Sequence, residues 1–200
     1  MRYILAVIAA LIGSAAFAEG AFAEGTGRLD AALESPEMDR WLVNPQDAVD
    51  VIIDIGFSYG AANALTSQAI TVAVAHGHAG ARARAMADLL KADLDDDLSV
   101  SREEIDAIDM ELSGYARGLL WTRHRHADQD ADGLVTFDEL RAYALTRADK
   151  FLSHGRIEML EALLLLDLDA DGAVTVEEAE AAMKELTQLS EARVSFEEDV

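Results

Sequence analysis

Between residues 128 and 139 the chain reads Asp128-Gln129-Asp130-Ala131-Asp132-Gly133-Leu134-Val135-Thr136-Phe137-Asp138-Glu139. The spacing is D-x-D-x-D-G-x₅-E, and it constrains the chain more than any other feature. A hard divalent cation such as Ca²⁺ takes six to eight oxygen ligands at about 2.3–2.6 Å. Asp128, Asp130 and Asp132, at positions 1, 3 and 5, supply one edge of that shell. Gly133 at position 6 allows the sharp turn that a side chain resists. Leu134 at position 7 offers its carbonyl oxygen, Thr136 at position 9 acts directly or through water, and Glu139 at position 12 closes the shell with both carboxylate oxygens.

The pattern recurs. Asp167, Asp169, Asp171, Gly172, Ala173, Val174, Thr175 and Glu178 fill positions 1, 3, 5, 6, 7, 8, 9 and 12 of a downstream loop. Asp93, Asp95, Asp97, Ser99, Val100, Ser101 and Glu104 fill the matching positions of an upstream loop. The loops begin 35 (128 − 93) and 39 (167 − 128) residues apart, about the length of one helix–loop–helix unit, so the chain is a repeat. Position 8 is Val in all three. The upstream loop departs at position 6, where Leu98 stands instead of Gly. A left-handed backbone there costs a non-glycine residue about 1 kcal/mol, so weaker or distorted binding is expected of this loop.

On these three loops the chain resembles the EF-hand family over Asp93–Glu178 and the flanking helices. The resemblance implies an all-α fold of helix–loop–helix repeats with calmodulin-like pairing, preceded by an amino-terminal helical extension. It implies Ca²⁺ as the cofactor. It also implies that the position-8 valines form short β-bridges between partner loops. The implied ligands are Asp93, Asp95, Asp97, Ser99 and Glu104 in the first loop; Asp128, Asp130, Asp132, Leu134 and Glu139 in the second; and Asp167, Asp169, Asp171, Ala173 and Glu178 in the third. Loops two and three both match fully and are adjacent, so they are the expected pair. Pairing one with two fits the spacing as well. The odd loop count leaves a partner to be found in the amino-terminal segment or in a second copy of the chain.

The amino terminus reads as an export signal over residues 1–18, with Arg2 as the positive region, an apolar run from Tyr3 to Ile12, and Ala16-Phe17-Ala18 as the cleavage site. The apolar run is short and Ala-rich for a membrane span. No Cys follows to carry a lipid, and the expected location is the periplasm or the outside of the cell. The chain has no Cys, which removes disulfides and thiolate metal sites. Its net charge is −22, and losing Arg2 with the leader would make it −23. Such a charge argues against nucleic acid and anionic membranes as partners. Three bound Ca²⁺ ions would bring −23 to −17 and stabilise the fold by linkage.

Residues 19–44 read as a linker, Glu19–Gly27, followed by a short helix over Leu29–Leu42 around Trp41. Residues 45–80 read as an apolar helical segment that Pro45 opens and Asn44 caps. It has no ligand ladder near Asp54–Ser58 and is expected to be a helix covering the hands, with a hand that has lost its metal as the alternative. Residues 81–190 hold the three loops and their helices, entered through Ala81–Ala92, and 191–200 read as a frayed acidic tail. The expected inward residues include Leu89, Ile105, Leu120, Phe137, Leu140, Leu163 and Leu186. Arg123 and His124 occupy inward places usually apolar in EF-hands, so they are expected to meet acids or to rotate the helix.

The leading expectation is a non-catalytic Ca²⁺-binding protein, acting either as a sensor that exposes an apolar groove to a protein partner or as a buffer. Met86, Met110, Met159 and Met183 are the methionines available to such a groove. Two other classes are weighed. His76 and His78, with His124 and His126, could carry Zn²⁺ or Cu²⁺, against a plain helix break at Gly77 and Gly80. An enzyme using the loops as a stabilising module would need chemistry in residues 28–80, where no nucleophile elbow, phosphate loop or zincin motif occurs.

Overall fold

The computed structural model describes residues 27–109, 112–151 and 154–198. The expected leader, most of the linker and Met110 lie outside these residues. The described chain is all-α, 76 % helix and 4 % strand, and it divides into two compact units. Unit 1 combines the amino-terminal stretch to Ser67 with the chain from Glu161 onward; unit 2 is Gln68–Leu160. Among the described residues no helix is long and apolar enough to cross a membrane.

Unit 1 opens with helix α1 (27–33) and helix α2 (Pro36–Val43). The single helix expected over Leu29–Leu42 is therefore two. Pro36 cannot continue a preceding helix, because it lacks the N–H and clashes with the turn before it. Ser35 caps the second helix, its hydroxyl accepting from the Met38 N–H at 3.4 Å. Helix α3 (Pro45–Tyr59) follows, with Pro at its first position. At Gly60 the chain folds back so tightly that an added Cβ would collide with the Ala64 carbonyl oxygen. A 3₁₀ turn (Ala61–Asn63) leads to Leu65. Late in the chain a 3₁₀ turn (Leu163–Leu166) enters the third loop, and helix α9 (Val176–Glu198) leaves it. Helix α9 packs on α3, burying Ile52, Met183 and Leu186 among others. It remains helical through residues 191–198, where fraying was expected.

The third loop finds its partner inside unit 1. Leu65 and Val174 form an antiparallel bridge, with Leu65 N–H to Val174 O at 2.9 Å and Val174 N–H to Leu65 O at 2.8 Å. A helix begins two residues after each bridge residue, at Ser67 and at Val176. The segment 45–80 thus does more than pack α3 on α9. It contributes a turn without a ligand ladder whose Leu65 bridges to Val174 of the third loop.

Unit 2 contains helix α4 (Ser67–Leu90), whose first residue belongs to unit 1. Gly77 and Gly80 do not break it. After the first loop come β1 (Val100–Ser101) and α5 (Arg102–Asp109). Helix α6 (Gly114–Ala127) is capped by Ser113. The second loop carries β2 (Leu134–Val135) and leads to α7 (Phe137–Phe151) and α8 (His154–Ala162). Strands β1 and β2 pair antiparallel, Val100 with Val135 and Ser101 with Leu134. Loop two therefore pairs with loop one, and the expected pairing with loop three is corrected. Both valines are fully buried in a core with Leu89, Ile105, Leu120 and Leu140. Phe137, expected inward, is 45 % exposed. It is the first residue of α7, where the chain is still leaving the loop.

Candidate metal centre

The three loops share one backbone course. Position 4 is left-handed in each, at Asp96 (φ 62°), Ala131 (φ 61°) and Ala170 (φ 62°), and so is position 6, at Leu98 (φ 65°), Gly133 (φ 95°) and Gly172 (φ 91°). Leu98 adopts the conformation that glycine holds in its counterparts. This backbone turns the ligand side chains inward. Asp93, Asp95 and Glu104 bring one carboxylate oxygen each within 4.8 Å of one another, as do Asp128, Asp130 and Glu139, and Asp167, Asp169 and Glu178.

The position-5 aspartates stand outside these clusters. Their Oδ1 atoms brace the turn, accepting from Ser99 N–H at 2.7 Å, Leu134 N–H at 2.8 Å and Ala173 N–H at 2.8 Å. Ser99 also donates its hydroxyl to Asp97, at 2.6 Å. That hydroxyl, with the Ser99 N–H, holds the Asp97 carboxyl below its ordinary range. Ser99, Leu134 and Ala173 stand at position 7, each just before a bridging valine.

At position 9 a hydroxyl ties the loop to the next helix. Ser101, Thr136 and Thr175 each donate to Oε2 of the glutamate three residues on, at 2.9, 2.8 and 2.8 Å, and the backbone N–H of each donates to the same oxygen. The glutamate N–H returns a bond to the hydroxyl in every case. This Ser/Thr-x-x-Glu reciprocity is a capping box. The S-x-x-E and T-x-x-E spacing signals it, and sequence reasoning assigned these residues to the metal alone. The Thr136 N–H, with its hydroxyl and the Gln129 N–H, holds Glu139 below its ordinary range against the pull of burial. In Glu104 burial pushes the carboxyl upward, but the N–H groups of Ser101 and Leu94 and the Ser101 hydroxyl outweigh it.

The loops differ in what their acids leave unpaired. Oδ2 of the first aspartate always accepts the position-6 N–H, at 3.0 Å from Leu98, 3.1 Å from Gly133 and 3.1 Å from Gly172. In the first loop Asp93 Oδ1 is also occupied, by the Asp97 N–H at 3.2 Å. In the other two, Asp128 Oδ1, Asp167 Oδ1 and Glu178 Oε1 are buried without a partner. A buried carboxylate oxygen with no donor carries a desolvation penalty that a cation relieves. The all-oxygen donor set therefore fits a hard divalent ion in loops two and three, and less completely in loop one.

Comparison with protein-family models, characterised proteins and solved structures gave no match.

His78 and His124 have partners of other kinds. His124 is 1 % exposed, and its Nε2 lies 3.0 Å from the Val100 carbonyl oxygen, to which it must donate. Its ring stands edge-on to Trp121, with centroids 6.1 Å apart. His78 pairs with Asp149 at 3.0 Å. Among the described residues no histidine joins a cluster of metal-ligating side chains. The neighbouring Arg123 meets an acid as expected, Asp88 at 2.9 Å. One residue that sequence reasoning missed lies against a candidate ligand: Nη1 of Arg28 is 2.9 Å from Asp167 Oδ2.

Proposed function

We propose that this chain is a non-catalytic Ca²⁺-binding protein of EF-hand type, exported to the periplasm or beyond. Asp128–Glu139 and Asp167–Glu178 are its principal sites and Asp93–Glu104 is a weaker one. The observation that carries this reading is the set of buried, partnerless oxygens of Asp128, Asp167 and Glu178, each in an oxygen-only cluster with the twelve-residue spacing. Oxygen-only donors suit Ca²⁺ better than Zn²⁺, which prefers nitrogen and sulfur, or Mg²⁺, which demands a tight octahedron. The first loop ranks lower because Asp93 already bonds the Asp97 N–H and because Leu98 holds a costly angle.

The decisive measurement is a calorimetric Ca²⁺ titration of the chain with Glu139→Gln and Glu178→Gln variants. Each substitution removes the oxygen pair that closes its shell, so each should abolish one principal site. Unchanged stoichiometry in both would sink the assignment. A dye that reports exposed apolar surface, added to the same titration, separates the two modes of action. Increased dye binding marks a sensor that presents a groove to a protein partner; no change marks a buffer.

A further inference from the structure

The third loop has a feature the other two lack. Asp167 Oδ2 accepts the Gly172 N–H and also faces the Arg28 guanidinium at 2.9 Å, with the Asp167 side chain 5 % exposed and that of Arg28 34 %. The matching oxygens of Asp93 and Asp128 have no arginine or lysine partner among the described residues. We propose that Arg28 is a resident cation of the third loop, lowering its affinity for Ca²⁺ and coupling that site to helix α1; this rests on the metal reading above.

The geometry supports competition rather than assistance. Arg28 holds the outer oxygen of Asp167 and leaves Oδ1 and Glu178 Oε1 unpaired. An incoming ion can therefore bind, but it must share one carboxylate with a guanidinium. The formal charge of the four loop acids, −4, becomes −3 with Arg28 in place, and EF-hand affinity follows ligand charge. A divalent ion and a guanidinium that share one carboxylate repel strongly enough, even at the dielectric of water, to weaken binding about tenfold at low salt. Orienting Asp167 is a smaller contribution, because the Gly172 N–H fixes the same oxygen. Coupling is reciprocal: an ion in the third loop must loosen the Arg28 contact. Leu29 and Ala32 of α1 are buried, so the helix has its own anchors, while the one-third-exposed guanidinium can turn to water.

The test is a calorimetric Ca²⁺ titration of the full chain carrying Glu104→Gln and Glu139→Gln, so that only the third loop binds, compared with the same chain bearing Arg28→Gln or Arg28→Lys. Arg28→Gln should tighten binding about tenfold at low salt, and the gain should shrink to about twofold or less in 1 M salt. Arg28→Lys, which keeps the charge and loses the fork, should stay within about threefold of Arg28. Equal or weaker binding in Arg28→Gln would overturn the proposal while leaving the metal reading intact. No saturable heat in any of the three chains would overturn both.

Discussion

Leu98 holds a backbone angle that the other two loops leave to glycine. Its φ of 65° matches the left-handed turns at Gly133 and Gly172, and its side chain is 50 % exposed. Replacing it removes strain and forfeits little packing. Leu98→Gly should raise unfolding free energy by about 1 kcal/mol and tighten the first loop, as read by urea denaturation and Ca²⁺ titration. The reverse change at Gly133 should cost about 1–2 kcal/mol, because it meets a positive φ of 95° and sets a Cβ 3.1 Å from Arg102 Nε. A pH effect also belongs to single residues. Glu104 and Glu139 are held below the ordinary glutamate range by N–H and hydroxyl donors. A carboxylate depressed on folding stabilises the protein above its unfolded value, and the contribution vanishes as pH falls through its folded value. Urea midpoints in chelator should therefore be level near neutrality and fall below the ordinary value of 4.5. Glu139→Gln should flatten part of that slope.

At the scale of elements, the bridges decide which loops act together. His124 reaches from α6 to the Val100 carbonyl oxygen in β1, so one side chain fixes the seam on which loops one and two meet. His124→Leu strips the donor from that seam and should cost about 1–3 kcal/mol by denaturation. Val135→Ala empties a fully buried site and should cost about 2 kcal/mol. The loop acids were legible in the sequence because their spacing is local: Asp at every second residue and Glu at position 12 can be read from twelve letters, and the structure gathers those at positions 1, 3 and 12. Pairing was not, because bridge partners are chosen by contacts between distant segments. The turn around Leu65 has no acids to betray it, and its apolar flanks read as an ordinary helix. His124 looked like a misplaced polar residue, since its acceptor lies on the backbone of another loop. Arg28 was invisible for a similar reason, 139 residues before the aspartate it touches.

For the whole molecule, a net charge of −22 opposes compaction, so cations bound as proposed would contribute beyond their own loops. Each site held at a hundredfold excess over its dissociation constant adds about 2.7 kcal/mol, and chelation should lower the melting temperature accordingly. Hydrogen exchange should divide that loss by unit: Glu178→Gln should expose amides in unit 1, and Glu139→Gln amides in unit 2. The bridge between Leu65 and Val174 has a consequence for the shape of the dose–response curve. On the metal reading proposed above, unit 1 would load through one loop, because the turn at Leu65 across the bridge has no ligand ladder, so its curve would be hyperbolic and free of cooperativity. Unit 2 carries two loops joined across β1 and β2, and its Hill coefficient can rise toward two. The chain has two tryptophans, Trp41 in unit 1 and Trp121 in unit 2. Each can report its own unit once the other is changed to phenylalanine. A graded response in unit 1 and a steeper one in unit 2 would then be told apart by the emission of a single indole.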